Sequence, residues 1–204
     1  MHEPRWPAVA ALLATGGIYL ALPERLTPGP NWGLLLALVV LFIPTIASRR
    51  AGFLKLNFAL GVALCSVVTI ALIWSLGLLI AGLPYKLESP SQLLRSAATL
   101  WISNVLVFAS WYWRLDAGGP FARERIEYHK EGAFLFPQMT LADQRHVWRP
   151  GFVDYLFLAF NTSTAFSPTD VPVLSRWAKS MMMIQSLISL GAVVVLAARA
   201  VNIL

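Results

Sequence analysis

The chain has 204 residues, of which 57% are hydrophobic and 13% are charged, and its formal net charge is +6. A soluble domain has a lower apolar fraction and about twice this charge density. Together with a mean hydropathy of +0.65, this composition excludes an ordinary soluble enzyme. It favours an all-α integral membrane protein, because the apolar residues come in long blocks rather than at amphipathic spacing.

Five apolar blocks are predicted to cross the membrane, and 1–204 is predicted to form a single membrane domain. The first block also resembles a signal peptide, but Glu3 dilutes the basic start and 21–24 is a poor cleavage site. We therefore interpret it as a retained helix, although it is short against the ~20 residues that a crossing needs. The predicted spans are 8–22, 32–48, 58–83, 93–113 and 178–204.

The basic residues lie mostly between these blocks, where Lys and Arg set the orientation of a membrane protein and contact anionic headgroups. The chain lacks the basic and aromatic stripe that is typical of nucleic-acid binding. The lipid bilayer is therefore the expected partner, and nucleic acid is not. The single cysteine, Cys65, permits no disulfide within the chain.

The polar segment 114–150 separates the fourth block from the rest of the chain and is too short to form a domain with its own core. It opens with the helix-stopping run LDAGGP, and its charged run at 123–131 is compatible with a short surface helix. We expect a membrane-surface loop in which Phe134, Leu135, Phe136 and Trp148 dip into the interface.

The stretch 151–170 begins as an apolar helix and then turns to hydroxyls, a proline and an aspartate. Pro150 and Asp154 suit a helix start, and the helix is predicted to end at about 162–164. A helix that ends inside the bilayer leaves its last carbonyls in need of protein, water or an ion. We predict a re-entrant, pore-helix-like segment. A flat interfacial helix and a sixth crossing are the alternatives, although Pro168 and Asp170 disfavour the crossing.

The negative end of such a helix favours a cation, and the hydroxyls that follow it add acceptors. We therefore predict an ion pathway formed by Asn161, Thr162, Thr164, Ser167 and Asp170. For Asp154 and Asp170, a role in the pathway and a structural ion pair are both open. The basic residues near enough in sequence to be charged partners are Arg149, Arg176 and Lys179.

The order of helix, hydroxyl-rich turn, aspartate and final helix over 154–204 resembles the pore module of two-helix potassium channels, with 93–113 as the outer helix. That family's filter reads Thr-x-Thr-Thr-Val-Gly-Tyr-Gly-Asp, and 162–170 reads Thr-Ser-Thr-Ala-Phe-Ser-Pro-Thr-Asp. Ser167 and Thr169 replace both glycines, and Pro168 replaces the tyrosine. A carbonyl ladder needs conformations that glycine adopts freely, so the resemblance implies a pore without the usual potassium selectivity.

A second resemblance covers 93–204. The runs WYWRLDAGGP, FLFPQMT and WRPGFVDYLFLAFNTSTAFSPTD are similar to a group of small bacterial inner-membrane proteins of unknown activity. This resemblance implies a multi-pass protein of the bacterial inner membrane and supplies no chemistry.

Orientation follows from the distribution of Lys and Arg. If the chain crosses five times and 151–170 returns, twelve of the 16 Lys and Arg lie on the side of the N-terminus and 114–150. The positive-inside rule places that side in the cytoplasm. The filter of the potassium channels opens to the opposite side, so the two indications disagree.

No nucleophile, nucleotide or zinc motif occurs, so we expect no catalytic residue, no cofactor and no enzyme. The acidic and histidine residues at 127–131 and 143–146 require different local structures, which favours loop charges over a metal site. A membrane enzyme that uses them is the third hypothesis. Asn104 and Gln185 lie inside apolar blocks and are predicted to form hydrogen bonds between helices.

The functional hypothesis is a channel-like protein that conducts ions, including monovalent cations, through a pore lined by 161–170. One re-entrant helix cannot enclose an axial pore, so the hypothesis requires a homo-oligomer, most simply a tetramer. The alternative is a non-conducting membrane scaffold or interaction protein that uses 114–150.

Overall fold

The computed structural model describes residues 4–85, 87–125, 132–143, 148–164 and 171–201. Within these ranges the regular secondary structure is helical, and the one extended pairing is an isolated antiparallel bridge between Phe134 and Val173. The predicted all-α class is confirmed.

Seven α-helices are described, and four of them are long and apolar enough to cross a membrane. Single 3-10 turns occur at Glu24–Leu26, Asp116–Gly118 and Pro137–Met139. The α-helices are α1 (Trp6–Tyr19), α2 (Gly33–Arg50), α3 (Leu54–Gly82), α4 (Pro90–Leu115), α5 (Pro120–Arg125), α6 (Phe152–Thr164) and α7 (Arg176–Val201).

The long helices α2, α3, α4 and α7 coincide with four of the five predicted spans and differ from them by a few residues at the ends. The fifth predicted span, 8–22, corresponds to α1, an apolar helix of 14 residues. At ~1.5 Å per residue α1 is about 21 Å long, which is shorter than the ~30 Å hydrocarbon core.

The start of α4 illustrates how local sequence sets a helix boundary. Ser89 is the N-cap, and its hydroxyl accepts a hydrogen bond from the Gln92 amide while the Gln92 side chain accepts one from the Ser89 amide. Pro90 occupies the first helical position, where its missing N–H costs nothing. This capping box therefore determines where the helix begins.

Helix α4 is the centre of the bundle and packs against α1, α3, α6 and α7. Its residues Leu100, Phe108 and Tyr112 are fully buried. The outward faces of the long helices remain apolar, as Ile43 on α2, Ile70 on α3 and other exposed side chains show. This arrangement suits a bundle surrounded by lipid, because the apolar surface has no protein cover.

The segment that follows α4 folds against the bundle. Phe134 is fully buried, and its ring centroid lies 5.2 Å from that of Tyr112, 6.2 Å from that of Tyr155 and 6.1 Å from that of Trp177. Phe136 is also buried. The prediction that these two rings dip into the lipid interface is therefore wrong, because aromatic side chains of α4, α6 and α7 supply protein neighbours for them.

Candidate functional site

The start of α6 is held by its own first turn and by the end of α4. The Gly151 amide donates a hydrogen bond of 2.7 Å to Asp154 Oδ2, which agrees with a helix start at 150–154. Burial raises the pKa of the Asp154 carboxyl above its ordinary value, and hydrogen bonds from the amides of Gly151 and Asp154 oppose that rise. The Phe152 ring packs 6.2 Å from Trp113, the third-last residue of α4.

The opposite end of α6 lies beside the middle of α4 and the first half of α7. Ser163 is buried, and its hydroxyl accepts hydrogen bonds from Gln185 Nε2 at 2.7 Å and from Asn104 Nδ2 at 3.4 Å. Helix α6 therefore advances along α4 from Trp113 at its start to Asn104 at its end.

Gln185 connects three helices. It is fully buried, and its Nε2 donates to the Ala159 carbonyl at 2.7 Å as well as to Ser163. Its Oε1 accepts a hydrogen bond of 2.5 Å from the Tyr112 hydroxyl, and its backbone carbonyl accepts one of 3.1 Å from Asn104 Nδ2. The prediction that Asn104 and Gln185 form hydrogen bonds between helices is confirmed.

Side chains of α6 and α7 donate to the last carbonyls of α6, which have no backbone N–H partner within their own helix. The Ser186 hydroxyl donates to the Thr162 carbonyl at 3.4 Å, and the Ser189 hydroxyl donates to the Ser163 carbonyl. The Thr164 hydroxyl donates to the Asn161 carbonyl at 3.1 Å. Three of the last four carbonyls of α6 therefore have a protein donor.

The predicted ion-pathway residues fall into two groups. Asn161, Thr162 and Thr164 lie together on the last turn of α6, where Thr162 is buried and its hydroxyl donates to the Leu158 carbonyl at 2.8 Å. Ser167 and Asp170 lie outside the described residues. The pathway therefore stays a prediction.

The predicted charged partners are tested only for Asp154, because Asp170 lies outside the described residues. Asp154 forms no ion pair with any described residue, and Arg176 and Lys179 are exposed at the start of α7. Arg149 Nη1 donates instead to the Arg123 carbonyl, at 3.4 Å.

No group of three His, Cys, Asp or Glu side chains suited to a metal occurs in the part of the chain that the structure describes. Residues 127–131 and His146, which the sequence suggested for such a group, lie outside that part.

Two buried charges that sequence reasoning missed hold the turn after α4. The Asp116 carboxylate is fully buried and accepts hydrogen bonds from the Ala133 amide at 2.5 Å and the Tyr155 hydroxyl at 2.6 Å. Arg123 is also buried, and its Nη1 donates to the carbonyls of Trp113 at 2.8 Å and Asp116 at 2.9 Å. The sequence feature that could have indicated a buried charge here is the aspartate of LDAGGP, which directly follows an apolar block.

This turn requires a glycine. Gly119 has φ +89°, and a Cβ atom on it would lie 2.7 Å from the Arg114 carbonyl oxygen. The pair Gly118-Gly119 therefore lets the chain reverse closely enough for Arg123 to reach the end of α4.

The four apolar helices, the apolar outer surface and the buried polar contacts between helices define an all-α membrane protein. Comparison with known proteins adds no family to this class, since no family model, no curated protein and no solved structure matches the chain. The resemblance to potassium-channel pore modules therefore stays a prediction.

Proposed function

We propose that the protein is a non-conducting membrane scaffold in which α6 enters the bilayer, ends near its middle and is followed by a return to the same side. Contacts of the chain before and after α6 support the proposal that it returns to the side on which it entered. Helix α6 starts beside Trp113 and ends beside Asn104. After it, Leu174 N donates to the Ala133 carbonyl at 2.8 Å, and the Ala133 amide is itself bound to Asp116 at the end of α4.

Chain length is compatible with this return. The 13 residues of α6 extend about 20 Å along the helix axis. The peptide units from Thr164 to Val171 can span about 24 Å when extended, which is enough to cover the same depth in the reverse direction.

The observation that carries the non-conducting assignment is the set of donors at the end of α6. A cation held by the backbone at this helix end would use the carbonyls of Asn161, Thr162 and Ser163 as ligands. Instead, hydroxyls of Thr164, Ser186 and Ser189 donate to them, and Trp101 Nε1 donates to the Ser163 carbonyl at 3.4 Å. The Ser163 carbonyl thus accepts from two donors, which use both of its lone pairs, so a cation would have to displace one of them to bind there.

In this proposal a partner protein binds the exposed part of 114–150. The buried rings of Phe134 and Phe136 attach the segment to the bundle. Pro137, Thr140 and Leu141 remain exposed and form the surface that a partner would contact.

Ion conduction by a homo-oligomer is the second candidate. It is favoured by the half-buried Asn161 and Thr164 at the negative end of the α6 dipole. The exposed apolar side chains of Val153, Phe157 and Phe160 on α6 supply a surface that neighbouring subunits could cover.

One flux experiment distinguishes these candidates. The purified chain is reconstituted in liposomes, and potassium and sodium flux is measured together with the mass of the detergent-solubilised particle. The scaffold proposal expects no flux above that of protein-free liposomes. A flux from a tetrameric particle that Thr164→Val and Asp170→Ala abolish, and that the exposed control Thr140→Val retains, would overturn it and establish conduction.

A further inference from the structure

A cleft of about 60 Å³ lies where the N-terminal end of α1, the C-terminal ends of α2 and α4 and the start of α3 meet. Arg5, Arg49 and Arg114 line it, together with Asn57 and apolar side chains. We propose that this cleft binds a phosphate group, carried by an anionic phospholipid or present as free phosphate. The proposal is independent of whether the chain conducts ions.

Arg114 provides donors for which no hydrogen bond is found among the described residues. Its Nη1 donates to the Asn57 carbonyl at 3.2 Å and to Asn57 Oδ1 at 3.5 Å. A guanidinium has five N–H groups in a planar fork, and such a fork matches two oxygens of one phosphate. Neither Arg114 nor Arg49 forms an ion pair with any residue that the structure describes.

The position of the Arg114 guanidinium is built into the helix packing. A Cβ atom on Gly61 of α3 would lie 2.0 Å from Arg114 Cζ, so only glycine leaves room for the group there. Asn57 is in turn held by α2, because its Nδ2 donates to the Thr45 carbonyl at 2.7 Å. The guanidinium is therefore presented by fixed neighbours, which lowers the entropy lost when an oxyanion binds.

Among the described residues, the cleft carries more positive than negative charge. The one ion pair there between described residues joins Arg5 to Glu124, with Arg5 Nη2 2.8 Å from Glu124 Oε2. Arg5 also lies over the Phe121 ring, with Cζ 3.6 Å from the ring centroid. Arg49 and Arg114 have no ionic partner in the part of the chain that the structure describes, and a phosphate would supply the negative charge.

A neighbouring groove indicates why a phospholipid is a suitable carrier. The groove runs between α1 and α2. It shares Arg5, Val9, Ile46 and Arg49 with the cleft and is also lined by Trp6 and Arg50. Trp6 is 72% exposed and Ile46 is 46% exposed. An acyl chain can lie along this apolar wall while the headgroup phosphate reaches the arginines.

The test measures binding of dioleoylphosphatidylglycerol and dioleoylphosphatidylcholine to the detergent-solubilised full chain by native mass spectrometry. A parallel arm measures the thermal stabilisation of the chain by inorganic phosphate. The variants are Arg49→Gln and Arg114→Gln. Arg176→Gln is the matched control, because Arg176 is exposed at the start of α7 and does not line the cleft.

We expect phosphatidylglycerol to bind in preference to phosphatidylcholine, and each cleft variant to weaken that binding about tenfold, the usual size of a charge-assisted contact. The Arg176→Gln control should bind as the wild type does.

The other outcomes identify a different ligand or overturn the proposal. If the two lipids bind equally, and inorganic phosphate stabilises the wild type but not the Arg49→Gln variant, free phosphate is the ligand. Equal binding of both lipids and no response to inorganic phosphate would overturn the proposal. So would cleft variants that bind like the control. Arg49 is exposed, so its variant keeps the test valid if Arg114→Gln fails to fold.

Discussion

At the scale of single residues, Gln185 is the side chain on which the contact between α4, α6 and α7 depends. Its side-chain amide donates hydrogen bonds to Ala159 and Ser163 and accepts one from Tyr112. A leucine of similar size would fill the space but leave the Tyr112 hydroxyl without its acceptor. An unmatched hydroxyl in an apolar interior costs free energy that the added apolar contact offsets only in part.

We therefore expect Gln185→Leu to lower the free energy of unfolding by about 1–2 kcal/mol, the range of polar contacts between membrane helices. The measurement is unfolding of the detergent-solubilised chain by a denaturing detergent. Gln138→Leu, in the 3-10 turn Pro137–Met139, is the control and should change stability little. Equal effects of the two substitutions would show that the buried contacts of Gln185 do not stabilise the bundle.

Gly61 supports a second residue-scale prediction. Gly61→Ala should destabilise the chain by about 1–3 kcal/mol, as overpacking does, because its Cβ would overlap the Arg114 guanidinium. On the same helix, the Cβ atom added by Gly77→Ala would have no neighbouring atom within 4 Å, so this substitution should be neutral or stabilising. In an Arg114→Ala background the cost of Gly61→Ala should disappear. If Gly61→Ala still destabilises the chain in that background, the steric overlap is with a group other than the Arg114 guanidinium.

At the scale of elements, α6 decides the topology of the C-terminal part of the chain. Its last carbonyls receive donors from α4 and α7, so the helix can end inside the bundle without unsatisfied polar groups. Pairing of 133–135 with 172–174 supports our proposal that the segment returns to the side on which it entered.

Cysteine labelling tests that return. In a Cys65→Ala background, single cysteines at Leu141 and Leu174, which are exposed positions before and after α6, should react with a membrane-impermeant maleimide from the same side. Tyr85→Cys lies between α3 and α4 and is the control for the opposite side. Labelling of the Leu174→Cys variant together with Tyr85→Cys would mean that α6 crosses completely.

At the scale of the whole molecule, the basic residues are concentrated at one end of the bundle. Arg5, Arg49 and Arg114 line one cleft there, whereas Arg25 lies at the other end and pairs with Glu88, with Nε 2.8 Å from Oε1. The positive-inside rule indicates that the cleft end faces the cytoplasm.

This orientation can be measured in intact bacterial cells that express single-cysteine variants of the chain. The impermeant maleimide should label the Tyr85→Cys variant in whole cells and the Leu141→Cys variant only after permeabilisation. The reverse pattern would put the arginine cleft outside the cell and give the pore-module orientation that the potassium-channel resemblance implies.

Much of the fold follows from sequence because lipid imposes simple rules. Uninterrupted apolar blocks predicted α2, α3, α4 and α7, since a crossing helix needs about 20 such residues and satisfies its own backbone. Local chemistry also marked the start of α6, where Asp154 caps the Gly151 amide. Hydrogen bonding between helices was predicted for Asn104 and Gln185, because polar side chains inside apolar blocks need partners.

The sequence by itself thus determined the helical class, most helix positions and the excess of basic residues between the apolar blocks, because these depend on neighbours along the chain. Only the tertiary structure decided which side chains meet. Ser163 meets a glutamine 22 residues further on, Phe134 is enclosed by three helices, and Arg114 is seated against Gly61. Such partners are set by how helices pack in space, and periodicity along one helix identifies a face without identifying what covers it.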